Sequence, residues 1–142
     1  MLGIIGAMEE EVRELIEDMT ECEMQEKASM KFYKGQLYGK EAVVVQSGIG
    51  KVNAGICTQI LSSGIGKVNA GICSQILVDL YQVDGIVNTG IAGSLRNEIN
   101  IGDLVLSTVA VQHDVDAGGF GYPAGEIPQL GVKEFPADER LL

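Results

Sequence analysis

Short, uniformly apolar runs that end at glycine-rich turns are the feature of this 142-residue chain that most constrains its fold. Leu2–Gly6 is one such run, and Gly85–Thr89, which is apolar up to Val87, predicts another buried strand. Strands buried on both faces are apolar throughout, whereas strands with one solvated face alternate apolar and polar residues. With helical patterns between them, these runs predict an α/β protein whose sheet is covered on both faces.

A helix is predicted directly after the first run, because apolar residues recur there at helical spacing. The acidic residues Glu9–Glu11 occupy its first turn, where the helix dipole favours negative charge. Further along, Lys31–Leu37 and Glu41–Gln46 predict two strands joined by a Tyr-Gly-Lys turn, and Ile101–Val111 predicts a longer strand. The apolar stripe of the helix consists of Val12, Leu15, Ile16 and Met19.

A tandem repeat dominates the middle of the chain. Ser47–Leu61 and Ser63–Leu77 are identical at fourteen of fifteen positions, at an offset of 16 residues. Sixteen residues turn a continuous helix by roughly 160°, so two copies in one helix would bury different faces. We therefore expect Gly64 and Gly66 to break the helix, leaving one copy in the native helix position. The sequence leaves open which copy packs, and it predicts one domain over residues 1–142 with 63–78 as a duplicated insertion.

Composition excludes several classes of function. The net charge of −10 argues against nucleic-acid or acidic-membrane partners, which need clustered Lys and Arg. The three cysteines form neither a disulfide framework nor a CxxC pair, which predicts a reducing, cytoplasmic setting. With His113 as the single histidine, we expect no metal site and no cofactor. No apolar run is long enough for a membrane span, and the start lacks the basic residues of a signal peptide.

Three glycine-rich turns follow predicted strands, and none meets the requirements of a phosphate-binding motif. Ser47–Lys51 lacks the first glycine and the final Ser or Thr of a P-loop. Gly48–Asn53, which overlaps it, lacks the third glycine of a dinucleotide-binding motif, and Gly90–Ser94 is shorter still. Each turn alone is best interpreted as a tight connection between strand and helix. Because ligands bind at the carboxyl ends of strands in such sheets, the turns Gly6–Glu11, Ser47–Gly50 and Thr89–Ser94 together predict one shared ligand crevice.

Six ordered motifs resemble those of the 5′-methylthioadenosine/S-adenosylhomocysteine nucleosidases. They span nearly the whole chain apart from the extra repeat copy. The resemblance implies a three-layer α/β fold, nucleoside phosphorylase-like, with a mixed central sheet. The motifs are GIIGAMEEEV from Gly3, SGIGKV from Ser47, VNTGIAGSL from Val87, IGDLVLST from Ile101, HDVD from His113 and FGY from Phe120.

The resemblance implies hydrolysis of the N-glycosidic bond of adenine nucleosides with a 5′-thioether, a reaction of methionine salvage. Its transition state is oxocarbenium-like, so water must be activated on one face of the ribose while the leaving base is protonated. By motif match the water-activating glutamate is Glu11. Helical geometry alone does not choose between Glu9 and Glu11, which both flank the apolar stripe, and the alternative for Glu11 is a solvated carboxylate at a helix start.

The same resemblance assigns binding residues by motif match. Ala7 and Met8 are expected at the ribose, Ile49 at the 5′-thioalkyl group, and the turn Ile91, Ala92 and Gly93 at the purine. Ile65 of the second copy competes with Ile49, and core packing is the alternative for both Ile49 and Ile91. Phe120, Tyr122 and Pro128 are expected to close the pocket of the neighbouring subunit in a homodimer. His113 is expected to have a structural role.

The resemblance also predicts that part of the catalytic machinery is missing. The family's aspartate that protonates purine N7 and its Met-Glu pair on the ribose hydroxyls have no matching segment in these 142 residues. Pro136–Leu142 resembles a helix start, which predicts a truncated chain with impaired hydrolysis. One alternative is a non-catalytic remnant that at most binds adenine nucleosides. Another is a purine nucleoside phosphorylase, disfavoured because Glu9–Glu11 would repel phosphate.

Overall fold

The computed structural model describes residues 1–28, 30–47 and 67–141, which form two compact units, Met1–Gly93 and Ser94–Leu142. The first unit is a five-stranded mixed sheet with two helices. Its strands lie in the order β2-β3-β4-β1-β5. The elements are β1 (Leu2–Gly6), α1 (Glu9–Glu17), β2 (Thr20–Lys27), β3 (Met30–Leu37), β4 (Lys40–Gln46), α2 (Lys67–Tyr81) and β5 (Gly85–Asn88).

The two runs form neighbouring parallel strands, β1 largely buried as predicted. The sequence predicts a second buried strand at Gly85–Thr89, but among the described strands β5 has a neighbour on one side only, and its Val87 and Asn88 are exposed. β1 lies between β4 and β5 and pairs with both in parallel, so that Ile4 is opposite Val44 on one side and Val87 on the other. β2, β3 and β4 are antiparallel. β5 is the outer strand at its end of this sheet. The parallel strands lead from sheet to turn at the same edge, which is where a ligand crevice forms in such folds.

Two hydrophobic clusters cover the two faces of the sheet, which makes the unit three-layered. Successive residues of β4 alternate between them, because side chains of a strand point to opposite faces. Val43 and Val45 belong to the cluster that includes Cys73 and Leu77 of α2. Ala42 and Val44 belong to the cluster that includes Val12 of α1. The predicted three-layer α/β fold with a mixed sheet is therefore confirmed.

The turn between β3 and β4 has the backbone that a two-residue hairpin needs. Leu37 pairs with Lys40, so Tyr38 and Gly39 form the loop. Both have positive φ, 49° and 77°. Positive φ at both loop residues is the type I′ geometry, whose twist matches that of the flanking strands. The predicted Tyr-Gly-Lys turn is confirmed.

The helix α2 contains most of the second repeat copy. Cys73 and Leu77 of this copy are fully buried against the sheet. Beyond the repeat, the ring of Tyr81 stacks on Phe32 at 5.4 Å between ring centroids. The first copy after Ser47 and the predicted helix break at Gly64 and Gly66 lie outside the described residues. The duplication, and the interpretation of 63–78 as the inserted copy, stay predictions.

The second unit contains little regular structure. β6 (Val109–Val111) pairs antiparallel with β7 (Glu134–Pro136), and Gly118–Phe120 forms one 3₁₀ turn. The predicted strand Ile101–Val111 is wrong over most of its length, because within the described ranges only Glu134–Pro136 supplies a partner, and it reaches three residues. A helix from Pro136 is also wrong. Asp138 to Leu141 form a single turn, closed by the Leu141 N–H and the Asp138 carbonyl at 2.9 Å.

Candidate functional site

Glu11 lies in the first turn of α1, and backbone amides of the preceding turn hold its carboxylate. Oε2 accepts hydrogen bonds from the Ala7 N–H at 2.7 Å and the Met8 N–H at 3.0 Å. Met8 is the N-cap residue and Glu11 the third residue of the helix, so the second bond is the carboxylate half of a capping box. Two charge-assisted bonds to one oxygen fix the orientation of the carboxylate.

The other carboxylate oxygen faces the end of a second strand. The Ile91 N–H, in the turn after β5, lies 3.4 Å from Oε1 of Glu11. This bond is long, and a carboxylate oxygen accepts two hydrogen bonds, so Oε1 keeps the capacity to bind one more donor. Glu11 is partly buried, whereas its neighbours Glu9 and Glu10 are exposed.

The end of β4 joins the same edge of the sheet. The Ser47 N–H donates to the Gly6 carbonyl at 2.9 Å, and Ser47 is buried. The Thr89 N–H donates to the Ile5 carbonyl, also at 2.9 Å. The first residues of all three predicted ligand turns therefore meet at the end of β1. Ile49 and its competitor Ile65 lie outside the described residues.

The residues expected around the nucleoside differ in exposure. Ala7 and Met8 are partly buried beside the Glu11 carboxylate to which their amides bond. Ala92 and Gly93 are exposed, and the Ile91 side chain is 85% exposed. Ile91 therefore does not pack in the core of this unit. Its backbone contacts Glu11 while its side chain is exposed.

The residues expected at a subunit interface lie in the second unit. Phe120 ends the 3₁₀ turn and its side chain is 87% exposed. Pro128 is exposed and Tyr122 partly buried. His113 is exposed and lies with Asp116 and Lys133 along a shallow groove of the same unit. An exposed aromatic ring on a loop is a common feature of contact surfaces.

The backbone contacts that hold Glu11 are not predictable from the sequence. The Ala7, Met8 and Ile91 amides come from two turns. The direction of a backbone amide depends on the conformation of the turn and cannot be inferred from the residue type. The available signal was the glycine at each strand end, Gly6 and Gly90, because glycine allows close approach. Over residues 1–28, 30–47 and 67–141, no group of three or more His, Cys, Asp or Glu is arranged to hold a metal ion. In the same ranges no helix is long and apolar enough to cross a membrane.

Comparison with known proteins relates the whole chain to one superfamily. The model of the phosphorylase superfamily matches twice, over residues 1–62 and 59–142. A 5′-methylthioadenosine/S-adenosylhomocysteine nucleosidase of Staphylococcus haemolyticus is 45% identical over 142 residues, which are all of this chain and 55% of the relative. The chain thus spans about half the length of the curated relatives it matches.

Solved structures agree with this relation. The nucleosidase of Colwellia psychrerythraea in complex with adenine superposes with a TM-score of 0.83 at 40% identity, covering 99% of this chain and 51% of that chain. The nucleosidase of Neisseria meningitidis in complex with methylthio-immucillin-A gives a TM-score of 0.82 at 34% identity, covering 99% of this chain and 53% of that chain.

Proposed function

This chain belongs to the phosphorylase superfamily, and we propose that it provides the water-activating part of an N-glycosidic hydrolysis of 5′-methylthioadenosine and S-adenosylhomocysteine. The observation that supports this proposal most directly is the arrangement of the Glu11 carboxylate. Its Oε2 is held by two amides, and its Oε1 keeps capacity for a further hydrogen bond. A base needs one fixed and one available oxygen, since orientation is a large part of catalytic efficiency.

The proposed step begins with a water molecule hydrogen-bonded to Oε1 of Glu11. As the bond between the anomeric carbon and purine N9 breaks, the water oxygen bonds to that carbon and its proton passes to the carboxylate. The leaving adenine gains a proton at N7. In the related family an aspartate supplies that proton, and the motifs of this chain do not include it. These 142 residues therefore hold the water side of the reaction.

The turns around Glu11 are proposed to bind the nucleoside. Ala7 and Met8 would line the ribose, because they lie beside the carboxylate that must reach the anomeric carbon. The exposed turn Ile91, Ala92 and Gly93 would lie along the purine, where small residues let backbone approach the base. The relatives from Colwellia and Neisseria were solved with adenine and with methylthio-immucillin-A, which supports an adenine nucleoside as the ligand class. Ile49 is proposed at the thioalkyl group.

The assembly is proposed to be a homodimer in the reducing cytoplasm. Phe120, Tyr122 and Pro128 would reach the pocket of the neighbouring subunit. The 87% exposure of the Phe120 side chain supports this, since burying a ring of that size against a partner is favourable. The net charge of −10 favours small-molecule ligands over nucleic acid.

Adenine release from methylthioadenosine by the purified 142-residue chain tests the proposal, with Glu11→Gln against Glu10→Gln. Both substitutions remove one negative charge from the same helical turn, but Glu10 is exposed and Glu11 holds three amide contacts. We expect Glu11→Gln to lower the rate by about 10²–10⁴-fold, the usual range for loss of a general base. Glu10→Gln should keep the wild-type rate. Equal losses in both variants would contradict the assignment of Glu11.

Adenine release with and without inorganic phosphate, together with calorimetric binding of methylthioadenosine, separates the alternatives. A phosphorylase would need inorganic phosphate and yield a phosphorylated sugar, whereas hydrolysis proceeds without it. A non-catalytic remnant would release no adenine, yet calorimetry would detect its binding of methylthioadenosine. Binding that persists in Glu11→Gln, without adenine release by any variant, would favour the remnant over the hydrolase.

A further inference from the structure

Two glycines flank the carboxylate of Glu11, one at the end of β1 and one after β5. Gly6 and Gly90 both have φ outside the left-handed region, so their backbones would accept another residue. What excludes a side chain at either position is therefore space. A β carbon at Gly6 would lie 2.6 Å from Cγ1 of Val12, so Gly6 is required for packing α1 against the sheet.

Gly90 differs from Gly6 in what it faces. A β carbon at Gly90 would lie 3.0 Å from Oε1, 3.4 Å from Cδ and 3.6 Å from Oε2 of Glu11. The three nearest atoms all belong to the Glu11 carboxyl group. No core side chain is among them, so an added methyl group would first meet this carboxylate.

We propose that Gly90 is a positioning residue, whose missing side chain lets Oε1 of Glu11 lie against the turn after β5. An added methyl group would push the carboxylate away by a few tenths of an ångström. The carboxylate would then rotate relative to the Ala7 and Met8 amides, which would change the length and angle of both hydrogen bonds to Oε2. The structural part of this inference stands on the described contacts, and its effect on the reaction rests on the proposed function.

Backbone amide resonances provide a direct test in the full chain. The Ala7 and Met8 N–H groups bond to Oε2 and are more than 80 residues from Gly90 along the chain, so neither is a covalent neighbour of the substituted residue. In Gly90→Ala we expect both resonances to move, in the direction in which Glu11→Gln moves them. The control is Gly71→Ala, an exposed helical position with open space around its β carbon. It should leave both resonances in place.

A double-mutant cycle keeps the test decisive if Gly90→Ala lowers the melting temperature. Glu11→Asp withdraws the carboxylate by one methylene group and makes room for the added methyl. Gly90→Ala should therefore lower the melting temperature less in the Asp background than in the wild type. Equal losses in both backgrounds, or unmoved Ala7 and Met8 resonances, would overturn the proposal.

Kinetics extends the test to catalysis. If the chain releases adenine, Gly90→Ala should lower kcat about tenfold with KM little changed, because misplacing a reacting group by a fraction of an ångström costs rate rather than binding. An unchanged kcat would overturn the positioning role. If the wild type releases no adenine while the amide resonances respond as expected, the proposed function fails and the positioning of Glu11 by Gly90 stands.

Discussion

Cys73 shows at the scale of a single residue what the core requires. Its side chain is fully buried between α2 and the sheet, and burial raises the pKa of its thiol from 9.0 to about 12. A buried thiolate would be costly, so the residue acts as a small apolar side chain. We therefore expect the Cys73 thiol to resist alkylation in the folded chain, while the exposed Cys22 reacts.

This raised pKa predicts how stability depends on pH. Between pH 9 and about 12 the folded state keeps a proton that the unfolded state loses. The contribution of the protonated Cys73 thiol to the free energy of unfolding is complete below pH 9. It is lost as the pH rises from there, by at most about 1.4 kcal/mol per pH unit. Urea unfolding at a series of pH values should show this decline, and Cys73→Ala should flatten it. A residual slope should remain, because burial also raises the pKa of Tyr81.

Cys22→Ala is the matched control for this series, since Cys22 is exposed. The free energy of unfolding of this variant should fall with rising pH as that of the wild type does. If the free energy of unfolding of Cys73→Ala falls just as steeply, the pH dependence comes from other groups and not from the burial of Cys73.

The position of Glu11 could be predicted from the sequence only in part. Helix periodicity left Glu9 and Glu11 equivalent, and the motif decided between them. In the structure, two amides of the preceding turn and one from residue 91 set Glu11 apart. Such contacts depend on how strand ends meet in space, which residue types do not encode.

At the scale of elements, burial decides which strands were predictable. β1 and β4 lie within the sheet and are largely buried, and their apolar pattern is visible in the sequence, whereas β5 is an outer strand whose Val87 and Asn88 are exposed. β2 (Thr20–Lys27) was missed, because it is an exposed edge strand with charged residues on both faces. Charged edge strands are common, since they discourage pairing with other chains. Ile101–Val111 shows the converse, because an apolar run forms a strand only where a partner strand is available.

Because α2 packs on the sheet, we expect substitution of equivalent leucines in the two copies to lower the free energy of unfolding by different amounts. Leu77 is fully buried, and Leu61 is its counterpart in the first copy. If the second copy alone packs on the sheet, Leu77→Ala should lower the free energy of unfolding by about 2–5 kcal/mol, and Leu61→Ala by far less. Urea denaturation measures both. Similar losses would mean that both copies contribute to the core.

Removing one copy is the complementary prediction. Deleting Ser63–Val78 leaves the first copy joined to Asp79–Tyr81, and its Cys57 and Leu61 then stand where Cys73 and Leu77 pack. We expect this shortened chain to fold with a stability or solubility above that of the full chain. A large loss of stability would show that the two copies are not interchangeable and that residues 63–78 are integral.

At the scale of the whole molecule, the second unit exposes many large apolar side chains. Leu95, Ile101, Leu104 and Phe120 are all more than four-fifths exposed. Isolated exposed apolar residues are ordinary, but groups of them often mark surfaces that contact another chain. The chain also spans about half the length of its curated relatives.

The proposed dimer predicts that one aromatic ring contributes to association. Phe120→Ser should raise the dissociation constant for self-association by at least tenfold, measured by sedimentation over a concentration series, with an unchanged circular dichroism spectrum. Leu95→Ser is the control, since it removes an apolar side chain of the same unit that is even more exposed than Phe120. If both variants weaken association equally, general apolar exposure drives it, and the Phe-Gly-Tyr segment has no special role.

The position of β1 between β4 and β5 has a consequence for how the chain folds. β1 pairs with β5, so the sheet closes only when residues about 80 positions apart meet. The repeat lies between β4 and β5 and lengthens the connection between them. The entropic cost of bringing the two ends of a connection together grows only with the logarithm of its length, by about 0.6 kcal/mol for each doubling. Sixteen additional residues therefore cost the native state little, and they mainly delay the encounter that completes the sheet.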